Sequence, residues 1–153
     1  MTAPHTDAKL LDSNADIKLK LSALWASVTL CYLYCDFFEL YQPGKLQSML
    51  AGQMGPLGQT TQVVLLAVSI VLSLPALMVF LSIALPAKVN RIANMLLGIL
   101  FTLVMIIFLL SPHVWLYYKY FAAVEIALTC TAVWLAWKWP RNQSTAPGSA
   151  RDA

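Results

Sequence analysis

Charge is what this sequence has least of. Lys, Arg, Asp and Glu make up 11% of it, where soluble domains carry about 25%. With 59% hydrophobic residues and a mean hydropathy of +0.69, too few polar side chains remain to cover a soluble surface. Lipid removes that difficulty, because it can face the apolar excess. The net charge is only +3, and no basic patch is interleaved with exposed aromatics. That balance argues against nucleic acid as a partner.

Histidine is almost as scarce. His5 falls in a polar tail and His113 stands alone between two apolar stretches, so no His–His or His–Cys spacing suggests a metal site. No GxSxG, P-loop or GxGxxG occurs, and nothing in the chain calls for a cofactor. The three cysteines, Cys31, Cys35 and Cys130, all lie in apolar stretches. Cys31 and Cys35 are one helical turn apart, where Cβ atoms lie about 5–6 Å from each other. A disulfide needs roughly 3.5–4.5 Å, so these two read as small packing residues.

What is present is a set of four long apolar stretches, the first of which carries acids. Leu21–Tyr41, LSALWASVTLCYLYCDFFELY, is long enough to cross a bilayer yet holds Asp36 and Glu39. Ionisable groups at membrane depth are expensive, so they mark either a site or a paired lock. The expected architecture is all-α: an integral membrane four-helix bundle over residues 18–139. Its helices are placed at about 19–41, 62–85, 89–110 and 117–139, between disordered cytoplasmic tails at 1–17 and 140–153. Asp7, Asp12 and Asp16 interrupt what would be the basic start of a signal peptide, so the first stretch reads as an anchor that is retained.

Gln42-Pro43-Gly44 stops the first helix. The following loop to Thr61 holds Gly52, Gly55, Pro56 and Gly58, with Leu46–Leu50 suited to an amphipathic turn in the interface. Pro75 sits mid-way along the second apolar stretch. It removes one backbone hydrogen bond and crowds the carbonyl of Val71, so this helix is expected to kink. Lys9, Lys18, Lys20, Lys88, Arg91, Lys138, Arg141 and Arg151 gather on one face, leaving Lys45 and Lys119 on the other. The excess places both termini in the cytoplasm. Tyr41, Trp115, Tyr117, Tyr118 and Tyr120 then fit an outer aromatic belt, and Trp134, Trp137 and Trp139 an inner one.

At 100° per residue, Ser22, Trp25, Thr29, Tyr32, Asp36 and Glu39 share one stripe, expected to face the bundle interior. Glu125 is placed roughly 12 Å below Tyr117 by helical rise, so all three acids fall in the outer half. Asn94, Gly98 and Thr102 recur at spacing four, as Ala122, Thr129 and Ala132 line one face around Glu125; both patterns permit close helix approach. Two readings compete. In one, Asp36 or Glu39 pairs with Lys119 and Glu125 bonds Tyr32 or Asn94, locking helix register. In the other, Asp36, Glu39, Glu125, Lys119, Tyr32, Asn94 and His113 line a cavity open to the outside. Burial disfavours an acid's charged form and a nearby cation favours it, so one pocket can hold both forms.

The pattern LSALWxxxxLCYLYCDFFELYQPG, the Gly-rich loop after it and the basic PAKVNRxxN turn resemble a family of small bacterial four-helix membrane proteins, a domain of unknown function. The resemblance covers about residues 18–139 and implies no catalytic residues. The layout is also similar, in architecture only, to DoxX-like membrane proteins. The function read from the residues is a non-enzymatic, multi-pass protein of the bacterial inner membrane. It binds a small ligand, lipid or partner subunit in an outer-half polar pocket, with the bilayer itself as its first partner. The alternatives are a small proton-coupled transporter acting as a homodimer, or a membrane enzyme with acidic catalytic residues.

Overall fold

The computed structural model describes residues 15–140. Apart from 15–17 and 140, the tails expected to be disordered lie outside the described residues. The described residues are helical, with four helices long and apolar enough to cross a membrane.

The first of these, α1, is Ile17–Glu39. Its inward positions are Leu21, Trp25, Val28 and Cys35, with half-buried Tyr32 between the last two. Their spacing alternates four and three, the seam of a helix packed along its length on neighbours. The polar stripe expected on this helix therefore holds only as far as Tyr32. Cys35 takes the next inward position, and Asp36, about 40° past Tyr32 around the axis, is exposed.

The connection after α1 is built from short turns. Gly44, at φ 79°, starts α2, Lys45–Leu50. A 3₁₀ turn at Gly55–Leu57 follows, closed by a single antiparallel bridge between Gln53 and Gln59. Met54 N–H donates to Gly58 O and Thr60 N–H to Gly52 O, both at 2.7 Å. Nothing between Lys45 and Thr61 is fully buried, so this segment lies on the bundle's surface.

Thr61 caps α3, Gln62–Ala84, by accepting from Val64 N–H at 3.2 Å. The buried residues of α3 are Pro75, Met78 and Ser82, all in its second half. Pro75 offers no N–H to the Val71 carbonyl, and nearby the hydroxyl of Ser73 donates to Ile70 O at 2.7 Å. Pro86 then starts α4, Ala87–Leu110, and Trp115 precedes α5, Leu116–Trp137. At 22 to 24 residues, each long helix spans about 33–36 Å, enough for a hydrocarbon core.

In the bundle α1 packs against α3 and α5, α4 lies along α5, and α3 touches α4 only lightly. The α4–α5 pair is the closest because its seam is small. Gly98 faces the backbone of α5, and a Cβ built on it would stand 2.5 Å from Val133 Cγ2 and 3.4 Å from Thr129 O. Ala122, Thr129, Ala132 and Ala136 continue that face on α5. Without a hydrophobic force between helices in lipid, small residues supply the close contact that holds them. Trp25, Val28, Met78 and Phe101 form the core between α1, α3 and α4. There the Trp25 and Phe101 rings meet edge to face, with centroids 6.2 Å apart.

Candidate functional site

The two ends of the bundle differ. One carries the chain termini and the α3–α4 turn, the other the long connection with α2 and the α4–α5 connection; these are the terminal end and the loop end below. Among the described residues both ends hold buried polar atoms without a partner, Ser82 Oγ and Arg91 Nε at the terminal end and Tyr32 Oη and Glu125 Oε1 toward the loop end, and the terminal end also holds a chain of bonded ones.

Toward the terminal end, most of the buried polar groups are bonded to each other, Ser82 Oγ and Arg91 Nε excepted. Trp25 Nε1–H donates to Asn94 Oδ1 at 2.6 Å. Asn94 Nδ2 donates to Asn90 Oδ1 at 2.6 Å and to Asn90 O at 2.9 Å, and Asn90 Nδ2 donates in turn to Ser82 O. Ser22 Oγ donates to Val79 O at 2.7 Å, and Lys18 Nζ reaches Ile83 O and Leu85 O at 3.1 and 2.8 Å. These bonds tie α1, α3 and α4 together, and those to Ser82 O and Ile83 O occupy terminal carbonyls of α3 that no helical N–H can reach. Asn94 thus serves this network. Thr102 and Thr129 pair across α4 and α5 at 2.7 Å. By helical rise Asn94 lies about 12 Å to the terminal side of that pair, and Glu125 about 6 Å to the loop side.

Toward the loop end lies Glu125, only 1% exposed on the inward face of α5. Its backbone carbonyl accepts from Thr129 Oγ1 at 2.8 Å. Its side-chain Oε1 is buried without a hydrogen-bond partner, and so is the hydroxyl of Tyr32 on α1. Buried polar atoms are nearly always paired, because leaving one unmade costs about 1–3 kcal/mol. Tyr32 also stacks at a tilt on Phe101, with centroids 5.9 Å apart. Glu125 lies within electrostatic reach of Cys31, Tyr32, Cys35, Tyr118 and Asp36. The arrangement is a buried acid with acceptor capacity to spare, bordered by hydroxyls and thiols and leading to the exposed Asp36.

At the rim, Glu39 makes an ion pair with Lys45 of α2, and among the described residues Asp36 has no ion pair. The partner expected for these acids, Lys119, is half-buried on α5 and makes none either. His113 is exposed in the connection between α4 and α5. Gln42 Nε2 donates to Tyr117 Oη at 2.6 Å, joining the end of α1 to α5. The structure thus brings Tyr32 and Glu125 into one interior region, leaves Asp36, Glu39, Lys119 and His113 outside it, and sets Asn94 apart.

Sequence reasoning missed the roles of Asn90 and Gln42, while Cys35 is buried, as its reading as a packing residue expects. The i, i+4 spacing of Asn90 and Asn94 was visible, but only the fold shows both turned inward. Cys31, Cys35 and Cys130 are free thiols. Among the described residues no three His, Cys, Asp or Glu side chains group as metal ligands.

The family described as Family of unknown function (DUF6326) matches residues 8–146, and the chain belongs to it. No curated protein and no solved structure matches the chain.

Proposed function

We propose that this family member is a non-enzymatic, multi-pass protein of the bacterial inner membrane that holds a small polar ligand or lipid head group in the loop-end half of its bundle, at Glu125. One observation carries the reading: Glu125 is 1% exposed with its Oε1 unbonded, within electrostatic reach of a tyrosine whose buried hydroxyl is also unbonded. A register lock would use those atoms, as the Trp25–Asn94–Asn90 chain uses its own. An acid–base pair would ask for a donor within hydrogen-bond reach, and Oε1 has none among the described residues. A binding site asks only for unspent acceptor capacity, which Glu125 supplies.

The orientation that goes with this reading puts the loop end outside and both termini in the cytoplasm, following the excess of Lys and Arg at the terminal end. A kink of α3 at Pro75, expected from the backbone bond that proline removes, belongs to the same reading.

Melting in detergent between pH 5 and 9 tests the proposal, on wild type, Glu125→Gln and Glu125→Leu. Both variants are expected to melt at or above wild type, because a buried group kept for a ligand is held at a cost to the fold. Variants that melt well below wild type at every pH would make Glu125 a structural lock and end the reading. Proton-coupled transport is the second reading, favoured by buried Glu125 lying within electrostatic reach of exposed Asp36. It requires a pH-driven flux in vesicles that Glu125→Gln abolishes.

A further inference from the structure

Where α4 and α5 part on the outer surface of the bundle they leave a groove of about 350 Å³. Ile99 and Leu103 on α4 and Trp134 and Trp137 on α5 are among its walls, each between 46% and 65% exposed. Its one hydroxyl, on Thr102, donates to Gly98 O and pairs with Thr129 Oγ1, both at 2.7 Å. What the groove offers an occupant is therefore hydrocarbon, two indoles and the Cys130 thiol.

Three cations stand at its terminal end. On α5, Lys138 lies one turn past Trp134, and its Nζ is 4.5 Å from the centroid of that ring, so the ammonium touches a wall of the groove. On α4, exposed Lys88 precedes Ile99 by three turns and lies about 20° from it around the axis, on the groove's side of the helix. Arg91 is two turns before Gly98, on the side of α4 that faces α5. Its Nε is buried and among the described residues has no partner, a donor left unmade. The Thr102–Thr129 contact sets the antiparallel register of the two helices. By helical rise Lys138 then lies within about 3 Å of Arg91 and about 8 Å of Lys88 along the axis.

Nothing described balances this charge. Among the described residues none of the three cations makes an ion pair, and the acid at this end is Asp16, ahead of α1. Lys88 and Arg91 also fall within the first five residues of α4, and its first turn holds no acid. The helix dipole is positive there, so it disfavours both cations and favours an anion between them. The occupant that fits carries an apolar chain for the groove and a negative charge for its rim. A second copy of the chain fits less well. Close approach in lipid needs small residues, and Gly98 and Thr129 already face each other across the seam.

We propose that this groove binds an anionic phospholipid, with an acyl chain against Trp134 and Trp137 and the phosphate at Lys88, Arg91 and Lys138. Basic pockets between spanning helices hold such head groups. The site is at the opposite end of the bundle from Glu125 and does not rest on the reading given to it.

The test is native mass spectrometry of the full chain released from maltoside micelles. It is titrated with dioleoylphosphatidylglycerol, with dioleoylphosphatidylcholine, and with glycerol phosphate. The expected result is saturable retention of one phosphatidylglycerol, several-fold tighter than phosphatidylcholine, and no retention of glycerol phosphate. Lys88→Gln and Lys138→Gln change exposed side chains. Each is expected to weaken phosphatidylglycerol binding about two- to tenfold, the contribution of one cation near an anionic head group. Arg91→Gln is expected to weaken it at least as much. Leu103→Trp keeps every charge and fills the groove, and is expected to weaken it too. Glu125→Gln is expected to leave it unchanged, so that this proposal and the Glu125 reading fail separately. Equal retention of the two phospholipids, or glycerol phosphate held as tightly as phosphatidylglycerol, would overturn the proposal. So would binding that the lysine variants leave undiminished. A dimer that added phosphatidylglycerol does not dissociate, and that Leu103→Trp abolishes, would overturn it in favour of a second copy of the chain.

Discussion

Trp25 on α1 gives its indole N–H to Asn94 on α4 across 2.6 Å, and both side chains are 1% exposed or less. The bond joins two helices that lie diagonally in the bundle and also meet where Trp25 and Tyr32 pack on Phe101. Replacing Asn94 with Leu leaves the indole donor, and also Asn90 Oδ1, without a partner. The expected loss is about 1–3 kcal/mol in unfolding free energy. Trp25→Phe removes the donor along with the group that needed it. In a double-mutant cycle the pair is expected to couple, so the two losses sum to more than the double variant shows. Reversible denaturation in mixed micelles measures all four species; strict additivity would mean the bond carries nothing.

Gly98 has no room for a side chain. A Cβ there would overlap Val133 Cγ2 at 2.5 Å, so Gly98→Ala forces either that methyl or the two helices apart. The expected cost is about 1–3 kcal/mol, as for overpacked cores. Val133→Ala removes the opposing methyl and is expected to restore most of the loss when combined with Gly98→Ala. Melting temperatures of the single and double variants check this, and failure of the rescue would place the obstruction at the Thr129 carbonyl.

The four-helix architecture was legible because it rests on composition: long apolar stretches, broken by Gln42-Pro43-Gly44, Pro86 and Ser111-Pro112, have few other solutions. The small face of α5 was legible for the same reason, since Ala122, Thr129 and Ala132 repeat on one side of Glu125. The fate of individual acids was not. A polar stripe drawn at 100° per residue carries Asp36 inward with Tyr32. The packed helix instead follows a seam of alternating four and three, which turns Cys35 in and Asp36 out. That difference accumulates slowly along a helix and is decided by neighbours, which a single sequence does not supply. Likewise Glu39 finds Lys45 rather than Lys119, because α2 folds back within reach of the end of α1.

That ion pair is expected to contribute little to stability. Its side chains are 33% and 19% exposed, and pairs in such settings are worth about 0–1 kcal/mol. Lys45→Gln should therefore melt close to wild type in detergent. A large drop would show that α2 is anchored through this contact and helps to hold the loop end closed.

Lys18 presents a different use of charge. Its ammonium donates to Ile83 O and Leu85 O, carbonyls at the end of α3 that lack helical partners, and lies where the helix dipole favours a cation. Lys18→Met keeps the apolar stem and removes both bonds. The expected loss is about 0.3–1 kcal/mol, confined to the last turn of α3 and the α3–α4 turn. Amide hydrogen exchange is the measurement that sees it, as protection across Ser82–Ala87 falls by about two- to fivefold while the α4–α5 seam is unchanged. Exchange that instead rises along all of α1 would show that Lys18 holds the helix pair together rather than capping one end of it.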